Sequence, residues 1–150
     1  VYGKLATGRS WAWNVALRVQ SPGGELVQEI SPRAAEPPAI SETTRQSIMD
    51  GLRRALTDDR GTATTAFAGF PLDRFPIAGK TGTAQATPKQ DTALFVAVAP
   101  ADAPRYAVAV VMEQAGYGAS SAAPVARRIF GALSGLEAPT PVDVVPGSRG

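Results

Sequence analysis

Residues 78–85 read AGKTGTAQ and carry more information than any other stretch of this sequence of 150 residues. In a strand, side chains alternate between two faces, so Thr81, Thr83 and Gln85 point to the same side. Two hydroxyl groups on one face, two residues apart, can both donate a hydrogen bond to one carboxylate. The stretch therefore predicts a strand that can bind a carboxylate group.

Lys80 and Gly82 lie on the opposite face of this predicted strand. Gly82 leaves the backbone bare, so an extended ligand can approach an edge strand here and pair with it. Lys80, expected to be half-buried behind that edge, supplies a positive potential that attracts an anionic ligand. A glycine-containing edge strand with a lysine reaching into solvent explains the same spacing without a ligand, and spacing alone leaves both interpretations open.

The tripeptide Gly79-Lys80-Thr81 also occurs in the phosphate-binding loop G-x-x-x-x-G-K-[ST]. That motif requires a glycine at position 74, which is Arg74 here. It also requires a helix after the threonine, whereas strand-like and then turn-like sequence follows. The pattern therefore disfavours nucleotide binding.

Two helices and three strands are predicted around this stretch. Apolar residues recur at helical spacing over 42–57, after the capping residue Ser41, and over 122–134, with Pro124 in the first turn. The predicted strands are 76–86, 92–99 and 105–114. Residues 100–104 form a connection short enough for an antiparallel hairpin, and the apolar strands predict a sheet covered on both faces. The predicted fold class is α+β, an antiparallel sheet with helices packed on it.

The ends of the chain differ in character from this patterned centre. Trp11 and Trp13 share one face of a predicted strand and indicate core or interface packing. The sequence SPGG at 21–24 is a turn signal and favours a hairpin. Four regions follow from composition: an N-terminal segment (1–30), a connection with three prolines (31–39), the patterned unit (40–137) and a disordered tail (138–150).

Composition excludes several classes of function. The sequence has no histidine and no cysteine, so imidazole and thiolate catalysis and metal ligation by these groups are excluded, and we expect no cofactor or metal. The net charge is +2 and its basic residues are dispersed, so no nucleic-acid surface is predicted. The longest apolar runs have six and seven residues, which predicts no membrane contact from this segment.

Residues 75–85, FPIAGKTGTAQ, resemble the K-T-G strand of the penicillin-recognising serine transpeptidases. The helix ending near Leu56, the tripeptide Gly61-Thr62-Ala63, the strand pair and the last helix (AAPVARRIFGAL) follow in that family's order. The resemblance covers roughly residues 20–134 and is closest to class B penicillin-binding proteins, which are cell-wall transpeptidases. It implies the C-terminal part of the penicillin-binding transpeptidase (β-lactamase-like) fold.

Two motifs of that family do not occur in this chain. No serine is followed by lysine three positions later, and Asn14, the only asparagine, is preceded two positions earlier by Ala12, so S-x-x-K and S-x-N are both absent. Both motifs precede K-T-G in the family. The chain therefore resembles the part of the domain after the second motif, without the acylating serine, while residues 1–17 match nothing expected there.

The resemblance also implies a role for each residue of the strand. Thr81 and Thr83 would bind the terminal carboxylate of a D-Ala-D-Ala stem peptide or of a β-lactam, and the Thr83 N–H would form half of the oxyanion hole. Lys80 would interact with the serine of S-x-N, Gly82 would give backbone clearance, and Gln85 would be a weaker contact. The resemblance implies Lys80 and Thr83 as catalytic residues and no nucleophile in this chain.

Partners and location are implied in the same way. The expected partners are the peptidoglycan stem peptide, β-lactam antibiotics and the N-terminal part of the same domain, which carries S-x-x-K and S-x-N. The expected location is extracytoplasmic, with the anchoring segment outside this chain, and the chain alone is expected to be inactive. The alternative is a non-catalytic binding or structural module that retains the K-T-G-T strand.

Overall fold

The computed structural model describes residues 2–8, 16–31 and 40–136. The elements in these ranges are α1 (Tyr2–Thr7), β1 (Arg18–Gln20), β2 (Leu26–Glu29), α2 (Glu42–Thr57), β3 (Ala78–Ala84), β4 (Thr92–Ala99), β5 (Tyr106–Met112) and α3 (Ala122–Ser134). This is the predicted α+β class. The two tryptophans at 11 and 13, the proline-rich residues 32–39 and the predicted tail 138–150 lie outside the described residues.

The main sheet has the order β3-β4-β5, and both of its strand pairs are antiparallel. The hairpin predicted between β4 and β5 is confirmed. In register, Gly82 of β3 lies opposite Leu94 of β4, which lies opposite Val111 of β5. Within the described ranges β3 and β5 are therefore the two edge strands.

The core lies between one face of this sheet and α3. Phe95 of β4 and Phe130 of α3 are fully buried there, and each buried ring contributes about 1.5–3 kcal/mol. Ring centroids of Phe67 and Phe95 lie 5.6 Å apart, and those of Phe75 and Phe130 lie 6.4 Å apart. A Cβ atom at Gly79 would lie 2.9 Å from the end of the Phe95 ring. The glycine before Lys80 is thus required by core packing.

The opposite face is covered only in part. Ala78 and Val98 are buried there with Met49 of α2 and with residues of α1. The β5 residues of this face, Ala107, Ala109 and Val111, are exposed, and the exposed fraction of Val111 is 62%. The prediction that both faces are covered is therefore wrong for β5 in the described part of the chain, because α1 and α2 pack over the β3–β4 side.

Element boundaries agree closely with prediction for α2, α3 and β4 and less well for the other two strands. Ser41 caps α2 as expected, since its Oγ accepts a hydrogen bond from the Thr44 N–H at 3.1 Å. β3 ends at Ala84 rather than at 86, because a turn follows in which the Lys89 N–H donates to the Ala86 carbonyl at 2.8 Å. The interpretation that places Gln85 within the strand is therefore wrong.

The N-terminal elements are small. β1 and β2 form an antiparallel hairpin around the predicted turn, and every residue in the two strands is exposed. The six-residue α1 is not predicted, since so short a segment shows no helical period. Arg45 of α2 holds α1 in place by donating to the carbonyls of Leu5 and Ala6 at 3.0 and 3.2 Å. Its hydrogen bonds to Glu42 also keep the pKa of that carboxyl below its ordinary value.

Candidate functional site

The candidate site lies along β3, whose outer edge pairs with no strand in the described parts of the chain. Strand pairing with β4 extends from Ala78 to Ala84 and holds the K-T-G-T residues in one rigid element. Lys80 and Thr83 are exposed, whereas Thr81 and Gly82 are partly buried. The structure therefore brings these four predicted residues together, with Gln85 exposed just beyond the strand.

Lys80 is exposed, whereas the sequence predicts a half-buried side chain. The difference arises because the long side chain of an edge residue can extend along the strand into solvent. Its Nζ donates to the Thr81 carbonyl at 3.0 Å and to Thr81 Oγ1 at 3.3 Å. The ammonium group is thus held beside Thr81. It keeps donor capacity for a ligand or for another part of the protein, since an ammonium carries three hydrogens.

The Thr81 hydroxyl connects β3 to the loop that follows α2. Thr81 Oγ1 donates to Thr62 Oγ1 at 2.7 Å, across 19 positions of sequence. Together with the bond from Lys80, this makes a chain of hydrogen bonds from Nζ through Thr81 to Thr62. In the sequence Thr62 stands out only by its place in the order of elements, and no local pattern marks its contact with Thr81.

The Thr83 hydroxyl contacts the loop between β5 and α3. The Gly118 N–H donates to Thr83 Oγ1 at 3.4 Å, so the hydrogen of the Thr83 hydroxyl is still available to a ligand. A Cβ atom at Gly118 would collide with the backbone of Gly82 and with the Leu94 carbonyl. The loop can therefore approach this closely only with glycine, and no sequence motif singles out this residue.

A cavity of about 400 Å³ opens between the end of α2 and the start of β3. Its lining includes three basic side chains and one acidic one, from Arg54, Arg60, Lys80 and Asp58. Arg54 and Asp58 form an ion pair at 3.6 Å. The excess of positive charge favours an anionic ligand at this end of β3.

In residues 2–8, 16–31 and 40–136, acidic side chains do not come together in any group of three that could hold a metal ion. None of the helices there combines the length and the apolar character needed to span a membrane. The residues of β3 themselves supply hydroxyl groups, backbone N–H groups and one ammonium group.

Comparison with known proteins identifies the family of this chain. Residues 15–131 match the family model of the penicillin binding protein transpeptidase domain. The peptidoglycan D,D-transpeptidase MrdA of Haemophilus influenzae is 35% identical over an alignment of 95 residues, and the match covers 53% of this chain and 14% of that protein. The chain thus spans about one seventh of the length of this curated relative.

Comparison with solved structures supports the same family. PBP2 of Pseudomonas aeruginosa, solved in complex with WCK 5153, superposes with a TM-score of 0.67 at 29% identity, covering 88% of this chain and 28% of that one. The transpeptidase domain of a peptidoglycan glycosyltransferase from Eggerthella lenta gives 0.62 at 29% identity, over 89% and 30% of the two chains. These matches confirm the α+β fold and the resemblance to class B penicillin-binding proteins. Because the family model matches most of its length, the chain belongs to the penicillin-binding protein transpeptidase domain family.

Proposed function

We propose that this chain forms the substrate-binding wall of a peptidoglycan D,D-transpeptidase whose acylating serine lies outside it. The observation that carries the proposal is the arrangement of Lys80, Thr81 and Thr83 along the open edge of β3. The name of the relative from Haemophilus influenzae supports the reaction class. The positive cavity beside Lys80 supports an anionic substrate.

The threonine hydroxyls bind the terminal carboxylate of the stem peptide or of a β-lactam. Thr83 is ready to donate, because its oxygen already accepts the Gly118 N–H and its hydrogen has no partner among the described residues. Thr81 adds a second donor once its hydroxyl turns from Thr62 toward the carboxylate. Both hydroxyls belong to one rigid strand, so binding of the carboxylate requires no rearrangement of the β3 backbone.

The other strand residues serve the reacting carbonyl. The Thr83 N–H forms half of the oxyanion hole, which stabilises the charge that develops on the carbonyl oxygen. Gly82 lets the ligand backbone come close to the strand, and Gln85 contacts the ligand beyond the end of β3. Lys80 faces the serine of the S-x-N motif in the N-terminal part of the domain.

The serine of S-x-x-K carries the covalent step. Its hydroxyl oxygen attacks the carbonyl of the penultimate D-Ala, the peptide bond to the terminal D-Ala breaks, and that D-Ala leaves with the serine proton. An amine of a second stem peptide then attacks the ester, takes the acyl group, and gives a proton back to the serine oxygen. No serine of this chain has a lysine three positions later. The chain alone therefore forms no acyl-enzyme.

This proposal requires the N-terminal part of the domain as a partner. The exposed face of β5, with Ala107, Ala109 and Val111, provides an apolar surface for that part to cover. Because the stem peptide is a component of the cell wall, the proposed working location is extracytoplasmic, with the anchor in another segment of the protein.

A fluorescent penicillin tests the proposal directly. We expect no covalent label on the 150-residue chain, and a stoichiometric label when the chain is joined to or mixed with the part that carries S-x-x-K and S-x-N. The label should lie on the serine of the added part, as peptide mapping would show. A label resistant to boiling on this chain alone would contradict the proposal, and absence of label in the joined protein would favour a non-catalytic module.

A further inference from the structure

The loop that carries Thr62 is anchored on both sides. The Gly61 N–H donates to the Asp58 carbonyl at 2.7 Å, and the Ala63 N–H donates to the Ala55 carbonyl at 2.9 Å. Ala63 is fully buried in the core. Thr62 stands between these two anchors, so the end of α2 determines where its backbone lies.

Gly61 adds a further constraint on the same loop. A Cβ atom there would lie 2.6 Å from the Ala55 carbonyl oxygen and 2.8 Å from that of Arg54, so the loop lies directly on the end of α2. The Thr64 hydroxyl donates to the Asp58 carbonyl at 2.7 Å. The backbone at Thr62 is therefore held by the end of α2 and does not depend on a ligand for its position.

Packing does not explain the contact between Thr62 and Thr81. Thr62 is exposed, and one hydrogen bond between two hydroxyl groups at the surface adds little to stability. The contact instead orients the Thr81 hydroxyl. Lys80 can only donate to Thr81 Oγ1, so Thr62 is the group in this chain of bonds that accepts the Thr81 hydrogen.

We propose that Thr62 is a positioning residue of the candidate site, acting through Thr81. Without ligand, Thr62 accepts the Thr81 hydrogen and holds the Thr81 oxygen beside Lys80. When a carboxylate takes the Thr81 hydrogen, the Thr62 hydroxyl reverses and donates to Thr81, which makes Thr81 a stronger donor. Thr62 thus couples the end of α2 to carboxylate binding on β3, and this inference rests on the proposed function.

The test uses the full transpeptidase domain that contains this segment, with the second-order rate constant for acylation by a fluorescent penicillin as the measurement. Thr62→Val keeps the branched shape and removes the hydroxyl, and we expect a loss of about tenfold. Thr62→Ser restores the hydroxyl and should stay within about twofold of wild type. Thr65→Val is the matched control, because Thr65 is an exposed threonine of the same loop.

A double-mutant cycle separates positioning from direct contact with the ligand. If Thr62 acts through Thr81, Thr62→Val should change the rate by less than about twofold in a Thr81→Val background. Additive losses in the two variants, or a faster Thr62→Val enzyme, would overturn the inference. Melting temperatures identify any variant that fails to fold, in which case Thr62→Ala replaces Thr62→Val.

The two proposals fail in different ways. Absence of acylation in the wild-type domain would reject the proposed function. Normal acylation of the wild type together with an unchanged Thr62→Val rate would reject the role of Thr62 alone and leave the function of Thr81 and Thr83 as proposed.

Discussion

Thr81 and Thr83 lie two residues apart on one strand, yet their hydroxyl groups make different hydrogen bonds. The Thr81 hydrogen is engaged with Thr62, whereas the Thr83 oxygen accepts the Gly118 N–H and its hydrogen is available. In the proposed function, Thr83 is therefore the hydroxyl that is ready to donate to a carboxylate. The difference arises from the two loops that reach β3, one after α2 and one before α3.

Replacement of Thr83 tests this assignment. In the complete domain, Thr83→Val should reduce transition-state stabilisation for acylation by about 1–3 kcal/mol, the scale of one hydrogen bond to a charged group. Lys80→Ala should cost more, since it also removes a positive charge. Acylation kinetics with a chromogenic β-lactam give the comparison, with Thr65→Val as control. A Thr83→Val enzyme with wild-type kinetics would show that the carboxylate is bound elsewhere.

At the scale of elements, the loop between β5 and α3 is fixed on the sheet at Gly118. The Gly118 carbonyl accepts from the Ala123 N–H at 2.8 Å, and the Ser121 hydroxyl donates to the Ala115 carbonyl at 2.6 Å. These bonds connect the loop to the start of α3. The position of the loop beside Thr83 therefore depends on where α3 begins.

The variant Gly118→Ala should displace this loop, because its Cβ would collide with backbone atoms of Gly82 and Leu94 that cannot move aside. We expect a loss of about 1–3 kcal/mol in unfolding free energy, the usual cost of overpacking, and slower acylation of the complete domain. Gly51→Ala is the matched control. Gly51 lies within α2 with open space around its Cβ position, so alanine should stabilise by about 0.5–1 kcal/mol. Denaturant unfolding measures both, and equal stability of the two variants would contradict the close approach at Gly118.

At the scale of the whole molecule, β5 is an edge strand with an uncovered apolar face in the described residues. An apolar edge with open N–H and C=O groups pairs readily with another chain. In the proposed transpeptidase, the N-terminal part of the domain occupies this region. The isolated chain has the same surface without that partner.

The 150-residue chain should therefore self-associate in a concentration-dependent way, as measured by sedimentation velocity. Val111→Lys places a charge on this surface and should reduce association, since the exposed fraction of Val111 is 62% and the fold does not depend on it. Val27→Lys, at a hairpin position that is 65% exposed, is the control and should leave association unchanged. A wild-type chain that stays monomeric at high concentration, with slow amide exchange across β5, would show that the edge is protected in another way.

Sequence alone predicted α2, α3 and the three strands of the main sheet, and its resemblance indicated the family. The bounds of α2 and α3 follow from caps and apolar period, and β4 follows from its apolar run. The K-T-G-T strand follows from its small and β-branched residues and from resemblance. These signals are local, because a cap or a period involves residues a few positions apart. For the same reason, local composition was enough to predict one strand for the K-T-G-T residues, and alternation then placed Thr81 and Thr83 on one face.

Only the tertiary structure revealed what surrounds that strand. The contact between Thr62 and Thr81 spans 19 positions of sequence, and the contact between Thr83 and Gly118 spans 35. Neither contact produces a periodic pattern in the sequence. The exposure of Lys80 and of the β5 face likewise depends on which elements pack beside them. Side-chain alternation says which side of a strand a residue faces, but the packing of distant segments decides whether that side meets a core, a loop or solvent.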